Sequence, residues 1–415
     1  MPDYISAIDP ERTDRLAEVA VKVGLGLRSG QELVLTAPLT AVPLVRRIVE
    51  HAYRAGAGLV TPLYADAVVT LARYRHAEEA GFDQATGWLF EGQAKAMDKG
   101  AARLAVFGDD PSLLAGENPE QVARASRAYA SAADPVFSRI ARFETNWTVL
   151  AYPSPAWAAR VFPDLPEDAA VTALADAIFS ACRVDGPDPI TAWAEHSRQL
   201  HARCDWLNGK RFQALHFAGP GTNLTVGLAD GHLWTGGAAT AKNGVTCIPN
   251  LPTEEISTVP HAHRVEGTVR ATKPLSHHGT LIEGIEMRFE AGQAVRVASR
   301  TGEDVLRAAL GTDEGAGRLG EVALVPHGSP ISRSGLLFYE TLFDENAACH
   351  IAMGRCYPGN VEGGTEMDQA TLARAGGNHS AIHIDWMIGS SALDVDGLAP
   401  NGDRVPVFRK GEWAE

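Results

Sequence analysis

The chain has little of what would place it among membrane or nucleic-acid-binding proteins. Its 37 Lys and Arg residues are outnumbered by 51 Asp and Glu residues, which gives a net charge of -14. Because no basic surplus is present to neutralise phosphates, this composition argues against a nucleic-acid partner. No run of about 18 apolar residues occurs, so neither a membrane-spanning helix nor a membrane partner is expected.

Cysteine is also scarce, and the five cysteines include no C-x-x-C pair. An odd number of thiols without such pairs is typical of a reducing compartment. The N-terminal segment carries Asp3 and Asp9 where a secretory leader requires basic residues, and no apolar stretch follows. The sequence therefore predicts a cytoplasmic protein.

The first half of the chain alternates short apolar runs with helical periodicity. Residues 32–37, 59–64 and 104–107 are predicted strands, and residues 42–53 are a predicted helix. This order and spacing predict an α/β N-terminal domain with a parallel sheet, assigned to residues 1–189. None of these strands is followed by a G-x-G-x-x-G or G-x-x-x-x-G-K-[ST] motif, so nucleotide binding has no support.

The second half has a different pattern. Helical periodicity over residues 190–209 ends at Asn208-Gly209 and predicts a helix that links two domains. Beyond it, residues 222–228 alternate between apolar and polar side chains, and Ala291-Gly292 predicts a hairpin. Residues 210–415 are therefore assigned to a mainly antiparallel β (α+β) C-terminal domain.

Carboxylate and imidazole side chains are concentrated near the end of the chain. Glu345 and His350 are separated only by small uncharged residues, and His383 and Asp385 are two positions apart. If residues 381–386 form a strand, His383 and Asp385 lie on one face. Divalent metals bind such mixtures of side chains. A structural hydrogen-bonded His–Asp pair is the alternative, and spacing alone does not decide between them.

Three further carboxylates are candidates for the same chemistry. Glu254 and Glu255 form an acidic doublet after Pro252, and adjacent side chains point in different directions if this segment is extended. Glu321 lies at the start of a strongly apolar segment, where a charge requires a partner such as a cation. Taken alone, the doublet is more typical of a solvated turn, and Glu321 of a salt bridge at a strand end.

Several segments together resemble the signature segments of one peptidase family. The Thr-Glu-Glu, Glu-x4-His and His-x-Asp patterns occur in that family's order and register, and the likeness extends over nearly the full length. The family is that of the M29 aminopeptidases, the group of aminopeptidase T and aminopeptidase S. The segments are 147–157 (WTVLAYPSPAW), 250–256 (NLPTEEI), 339–350 (YETLFDENAACH), 351–357 (IAMGRCY) and 378–390 (NHSAIHIDWMIGS).

The resemblance implies a metal-dependent aminopeptidase, a hydrolase that removes N-terminal residues from short peptides in the C-terminal domain. It also implies two divalent ions per chain, of zinc, cobalt or manganese, with Glu321 bridging them and Tyr357 beside them. It further implies a homodimer that encloses the active sites in an internal cavity. The implied metal ligands are Glu255, Glu321, Glu345, His350, His383 and Asp385.

These ligands suggest roles for two more residues. With Glu255 as a ligand, the neighbouring Glu254 is predicted to carry a proton to the leaving amine. Tyr357 is predicted to donate a hydrogen bond to the oxyanion. The reverse assignment of Glu254 and Glu255 stays open.

Two other functions are weaker interpretations of the same residues. A different dinuclear hydrolase, such as a phosphoesterase, would need a basic motif beside the ligands, and none is evident. A non-catalytic structural zinc site normally has four ligands, often with cysteine, whereas these candidates include no cysteine. The absence of H-E-x-x-H and G-x-S-x-G motifs also weakens zincin and serine-hydrolase mechanisms.

Overall fold

The computed structural model describes residues 7–277 and 279–414, which form two compact units. The first unit runs to Glu195 and also includes Ala238–Pro252, and the second contains His196–Gly237 and the chain from Thr253 onwards. The N-terminal segment that argued against a secretory leader lies largely outside the described residues. Within the described ranges, no helix is both long enough and apolar enough to cross a membrane.

The first unit alternates helices and strands. Its strands form a parallel sheet in which the second strand is at one edge and the fourth at the other. Leu33, Leu35 and Leu104 on the two central strands are buried, as expected for a parallel sheet covered on both faces. The predicted parallel α/β architecture is confirmed. In chain order the elements are α1 (Pro10–Val19), β1 (Glu32–Pro38), α2 (Val42–Arg54), β2 (Leu59–Ala65), α3 (Ala67–His76), α4 (Gly87–Asp98), β3 (Ala102–Phe107), α5 (Pro119–Ala141), β4 (Trp147–Ala151), α6 (Pro155–Val161), α7 (Glu167–Ala181) and α8 (Pro189–Lys210).

Helix α8 begins in the first unit and ends in the second. The predicted stop at Asn208-Gly209 is wrong, because the helix continues to Lys210. The side chain of Asn208 pairs instead with the backbone of Trp234: its Nδ2 donates to the carbonyl at 3.0 Å, and its Oδ1 accepts from the N–H at 2.8 Å. The side-chain amide of Asn208 is therefore used in a contact with Trp234, whereas the sequence predicted that this residue ends the helix.

Residues 238–252 return to the first unit, whereas the predicted domain bounds place them in the C-terminal domain. The reason is backbone pairing beside β4. Val149 donates its N–H to the carbonyl of Pro249 at 2.7 Å, and Leu251 donates to the carbonyl of Val149 at 2.9 Å. The segment thus extends the edge of the parallel sheet.

The second unit is mainly antiparallel, as predicted. Its elements, together with the short β7–β8 pair of the returning segment, are β5 (Ala214–Gly219), β6 (Thr222–Leu228), β7 (Ala239–Thr240), β8 (Thr246–Cys247), β9 (Ile256–Thr258), β10 (Pro260–Arg270), β11 (Leu275–His277), β12 (Thr280–Ile282), β13 (Glu286–Glu290), β14 (Gln293–Ala298), α9 (Glu303–Leu310), β15 (Leu319–Leu324), α10 (Pro330–Ser334), α11 (Thr341–Asp344), β16 (His350–Gly354), α12 (Gln369–Arg374), β17 (His383–Met387), β18 (Asp394–Leu398), β19 (Arg404–Arg409) and β20 (Glu412–Trp413). One sheet has eight strands, in the order β14-β13-β10-β6-β5-β18-β19-β20, and another has four, in the order β17-β16-β15-β9. The predicted hairpin joins β13 and β14 through Ala291 and Gly292, both with positive φ.

Candidate metal centre

Four of the candidate residues lie on one face of the four-stranded sheet. Glu321 on β15 is opposite Ala352 on β16, and Ala352 is opposite Asp385 on β17. Residues directly opposite each other share a face, and so do residues two apart within a strand. His350 is two positions from Ala352, and His383 is two positions from Asp385. The sheet therefore gathers two carboxylates and two imidazoles around one small side chain.

The other two candidates come from segments that adjoin this sheet. Glu255 directly precedes β9, which pairs with β15, and Glu345 opens a single 3-10 turn between α11 and β16. All six predicted ligands thus come together in three overlapping groups, within each of which the potential ligand atoms lie within 4.8 Å of one another. The groups are Glu255, Glu321 and His350; Glu321, His383 and Asp385; and Glu345, His350 and Asp385.

Burial makes this concentration of carboxylates unfavourable without a cation. Glu321 is 7% exposed and Asp385 8% exposed. Burial, followed by the charge of Glu255, raises the pKa of Glu321 to about 7. The same two causes raise the pKa of Glu345 well above its usual value. Carboxylates crowded in a low-dielectric site resist ionising together, and a divalent ion relieves that repulsion.

Both histidines present the same ring nitrogen to the cluster. His350 Nδ1 donates to the carbonyl of Glu345 at 2.9 Å, and His383 Nδ1 donates to the carbonyl of Arg355 at 2.7 Å. A carbonyl oxygen only accepts, so Nε2 holds the lone pair in each neutral ring. Burial lowers the pKa of His383, but Asp385, Glu321 and the carbonyl of Arg355 together raise it to about 9, because they favour a positive charge on the ring. Metal-binding histidines are oriented in this way.

The distances within the cluster suit shared coordination. His350 Nε2 is 3.1 Å from Glu255 Oε2, and His383 Nε2 is 3.4 Å from Asp385 Oδ1 and 3.5 Å from Glu321 Oε2. Two ligand atoms bound to one tetrahedral ion at about 2.0–2.1 Å lie about 3.3–3.4 Å apart. Glu255 Oε2 is buried, and His350 Nε2 is the ligand-type atom beside it. Its neighbours and its donor type therefore fit a divalent cation.

The two members of the acidic doublet face different surroundings. Glu255 is in one of the three ligand groups, and Glu254 is in none of those found among the described residues. Glu254 is 6% exposed, and its Oε2 lies 3.6 Å from His196 Nε2. His196 Nε2 donates to the carbonyl of Thr253 at 2.8 Å. The two neighbouring side chains thus face different groups, and only Glu255 is in a ligand group.

Tyr357 lies beside one of the candidate ligands. Its ring centroid is 4.9 Å from that of His383, with an angle of 59° between the rings. Although 37% of this residue is exposed, partial burial and the charge of Glu321 raise the pKa of its phenol above the usual value. The phenol therefore keeps its proton near neutral pH and is able to donate a hydrogen bond.

The site also contains supporting residues that the sequence did not reveal. Asn346 is fully buried, and its Oδ1 accepts from the N–H of Glu254, 92 positions earlier in the chain. Ala352 has the small side chain around which the sheet ligands gather. Nothing in the spacing of either residue indicates its place, because each depends on a pairing between distant segments.

Comparisons with known proteins identify the family of this chain. The model of the M29 peptidases, described as thermophilic metalloproteases, matches residues 9–413. The chain belongs to the M29 peptidase family. It is 55% identical to Aminopeptidase T of Thermus aquaticus over 403 residues, which cover 97% of this chain and 98% of that protein. It is 45% identical to Aminopeptidase 2 of Geobacillus stearothermophilus over 401 residues, 97% of each chain.

Solved structures give the same result for the fold. The structure of wild-type AmpT from Thermus thermophilus matches this M29 chain with a TM-score of 0.92 at 53% identity, covering 97% of this chain and 99% of that one. A 2,5-dihydroxypyridine dioxygenase from Pseudomonas putida KT2440 matches with a TM-score of 0.54 at 12% identity, covering 98% of each chain. The second likeness concerns the fold alone, and a shared fold does not imply a shared reaction.

Family membership confirms the enzyme class predicted from the motifs. The family is one of metalloproteases, and the relatives are aminopeptidases that match along almost the entire chain. The chain is accordingly a hydrolase, a metal-dependent aminopeptidase.

Proposed function

We propose that this M29 enzyme removes N-terminal residues one at a time from short peptides, with two divalent ions held by the six-residue cluster. The observation that carries the proposal is the matched arrangement of the two histidines. Each Nδ1 is bound to a backbone carbonyl, and each Nε2 faces carboxylate oxygens at 3.1–3.5 Å. One oriented imidazole for each ion suits a two-ion site. Mixed oxygen and nitrogen ligands suit zinc, cobalt or manganese.

Glu321 is the proposed bridge between the ions. In this proposal His350 would hold one ion and His383 the other, and the Glu321 carboxylate falls in a ligand group with each histidine. Asp385 also falls in a group with each histidine, so it is the competing bridge. Metal titration of variants at these two positions distinguishes them, because loss of the bridge weakens both ions whereas loss of a terminal ligand weakens chiefly one.

The side chains around the cluster supply the remaining chemistry. Ions bound there supply an activated water and a polarised peptide carbonyl. Glu254 takes up a proton and gives it to the leaving amine, a role supported by its place beside Glu255 and outside the ligand groups. Tyr357 donates a hydrogen bond to the developing oxyanion, a role supported by its protonated phenol next to His383.

The proposed substrates are peptides with a free N-terminus. Four of the six clustered side chains are carboxylates, and such a site attracts the cationic α-amine that these peptides carry. An acetylated N-terminus lacks that charge.

We also propose a homodimer located in the cytoplasm. No residue of α3 is buried, and its Val68 and Val69 are 74% and 67% exposed, while Trp88 of α4 is 74% exposed. Helices in proteins are stabilised mainly by packing an apolar face, so a second copy is the proposed cover for this surface. Buried free cysteines are compatible with a reducing compartment. Sedimentation of the purified protein tests the dimer, and a monomer at micromolar concentration would contradict it.

Two measurements test the proposed activity. Metal analysis of the purified protein should find two ions per chain, with activity removed by a chelator and restored by zinc, cobalt or manganese. Mass spectrometry of a digested decapeptide should show stepwise loss of N-terminal residues, and the N-acetylated form of the same peptide should stay intact. Internal cleavage, or equal rates on the two peptides, would contradict the exopeptidase mechanism.

A further inference from the structure

Asn346 connects two segments of the metal cluster through one buried amide. The residue is 0% exposed. Its Oδ1 accepts from the backbone N–H of Glu254 at 2.7 Å. Its Nδ2 donates to the carbonyl of Leu342 at 2.9 Å and approaches Glu345 Oε1 at 3.5 Å. One side chain thus contacts the backbone of the acidic doublet and a carboxylate of the cluster.

These contacts hold the doublet in place. The backbone before Glu255 is held on one side by Asn346 and on the other by His196, whose Nε2 donates to the carbonyl of Thr253 at 2.8 Å. A buried amide with partners at both ends resists rotation, because turning it leaves polar groups without hydrogen bonds. The peptide group between Thr253 and Glu254 is therefore held at both its N–H and its carbonyl, directly before the two carboxylates.

We propose that Asn346 is a positioning residue for the metal centre. It fixes the acidic doublet so that Glu255 reaches the cluster while Glu254 does not, and it holds the Glu345 carboxylate beside the same ions. Asn346 would act through these carboxylates and not as a ligand of the ions. This inference rests on the proposed two-ion function.

Asn146 in the first unit provides a matched control. It is also 0% exposed, and its Nδ2 donates to the carbonyl of Leu25 at 2.7 Å. Its Oδ1 accepts from Gln31 Nε2 at 2.7 Å and from Asn243 Nδ2 at 2.9 Å. Both residues are buried, hydrogen-bonded amides, but none of these partners of Asn146 is a member of the cluster. Loss of either amide should lower the melting temperature, and only loss of Asn346 should change metal binding.

The experiment compares Asn346→Ala, Asn346→Leu and Asn146→Ala with the wild-type full chain. Calorimetric titration of the metal-free proteins with zinc measures the affinity of each ion, and the absorption spectrum of the cobalt-loaded proteins reports ligand geometry. Both Asn346 variants should bind at least one ion about 10–100-fold more weakly, the usual effect of removing a partner that orients ligands. Their kcat should fall more than their KM changes. Asn146→Ala should keep wild-type metal affinity, spectrum and kcat.

Each outcome decides the inference. Wild-type metal affinity, spectrum and kcat in both Asn346 variants would overturn it and leave the two-ion function intact. Equal losses of metal affinity in Asn146→Ala would also overturn it, since they would reflect general loss of a buried amide. A wild-type protein that binds fewer than two ions would instead overturn the proposed function. If Asn346→Ala does not fold, Asn346→Leu decides alone, because it keeps the approximate size of the side chain but offers neither the acceptor for the Glu254 N–H nor the donor.

Discussion

The chain contains two four-stranded sheets that bury very different side chains. The parallel sheet β1–β4 buries one charged residue, Arg103, and its one carboxylate, Glu32, is exposed. The antiparallel sheet of β9 and β15–β17 buries Glu321, His350 and Asp385. Both sheets belong to one chain with a net charge of -14, so overall composition does not explain the difference. The buried carboxylates of the antiparallel sheet therefore indicate a site where a cation is expected to bind.

A buried polar atom without a hydrogen-bond partner does not by itself indicate a metal site. Arg103 Nε in the parallel sheet is buried without a hydrogen-bond partner among the described residues, whereas Glu255 Oε2 beside the antiparallel sheet lies 3.1 Å from His350 Nε2. A single guanidinium offers no ligand to a metal, whereas the Glu255 carboxylate has five further ligand-type side chains in the overlapping groups. The informative feature is therefore the convergence of several acceptors on one small volume.

The largest expected effect is loss of the proposed bridging ligand. Glu321→Gln should reduce kcat/KM by about 10³-fold or more, because a neutral amide at this position weakens both ions. Glu32→Gln, which changes the exposed carboxylate of the parallel sheet, is the control and should be indistinguishable from wild type. Metal titration and steady-state kinetics check both variants. Two ions retained at wild-type affinity in Glu321→Gln would rule out the bridging role.

The acidic doublet should separate into two different phenotypes. Glu255→Gln should lower metal occupancy, because it removes a ligand. Glu254→Gln should keep both ions and lower kcat by about 10²–10⁴-fold, the usual contribution of general acid–base catalysis. Metal analysis and kinetics of the same preparations make the distinction. If metal loss follows Glu254→Gln instead, the two roles are assigned in reverse.

A smaller effect is expected at Tyr357. Tyr357→Phe should lower kcat by about 10²-fold with little change in metal content, because one hydrogen bond to the oxyanion is lost. Tyr129→Phe changes a tyrosine that is 51% exposed in the first unit and should have no effect on kcat. Unchanged kcat in Tyr357→Phe would exclude the phenol from oxyanion stabilisation.

The smallest effect is expected in the parallel sheet. Thr148 is 0% exposed, and its Oγ1 donates to the carbonyl of Ile248 at 2.8 Å. Thr148→Val should lower the free energy of unfolding by about 1 kcal/mol, the usual net value of one hydrogen bond. Metal affinity and kcat should stay at wild-type values, as measured by urea denaturation, titration and kinetics. A loss of bound metal in Thr148→Val would mean that the parallel sheet also contributes to metal binding, which would contradict the comparison of the two sheets.

Much of the fold could be predicted from local sequence patterns. The parallel sheet follows from short apolar strands separated by a helix, as at residues 32–64, and the β13–β14 hairpin follows from Ala291-Gly292. The set of six ligand candidates came instead from the resemblance to the M29 family, because spacing alone left a structural His–Asp pair open. Local spacing predicted that His383 and Asp385 share a face, since both lie in β17.

What could not be predicted depends on contacts between distant segments. The hydrogen bond from the Glu254 N–H to Asn346 spans 92 positions, and neither residue carries a local signal of it. The return of residues 238–252 to the first unit depends on backbone pairing with Val149. Asn208-Gly209 has the local composition of a helix stop. The side chain of Asn208 instead pairs with the backbone of Trp234, a tertiary contact that the local sequence does not reveal. Such pairings override local propensity.

Because the chain passes from one unit to the other after residues 195, 237 and 252, neither unit is a continuous stretch of gene. A fragment of residues 210–415 would lack Leu200, Cys204 and Leu207, which belong to the hydrophobic core of the second unit. The acidic doublet begins two residues after the last of these passages. Recombination at a single point therefore cannot exchange either unit intact for another, and an engineered swap of one unit has to join the chain at all three passages.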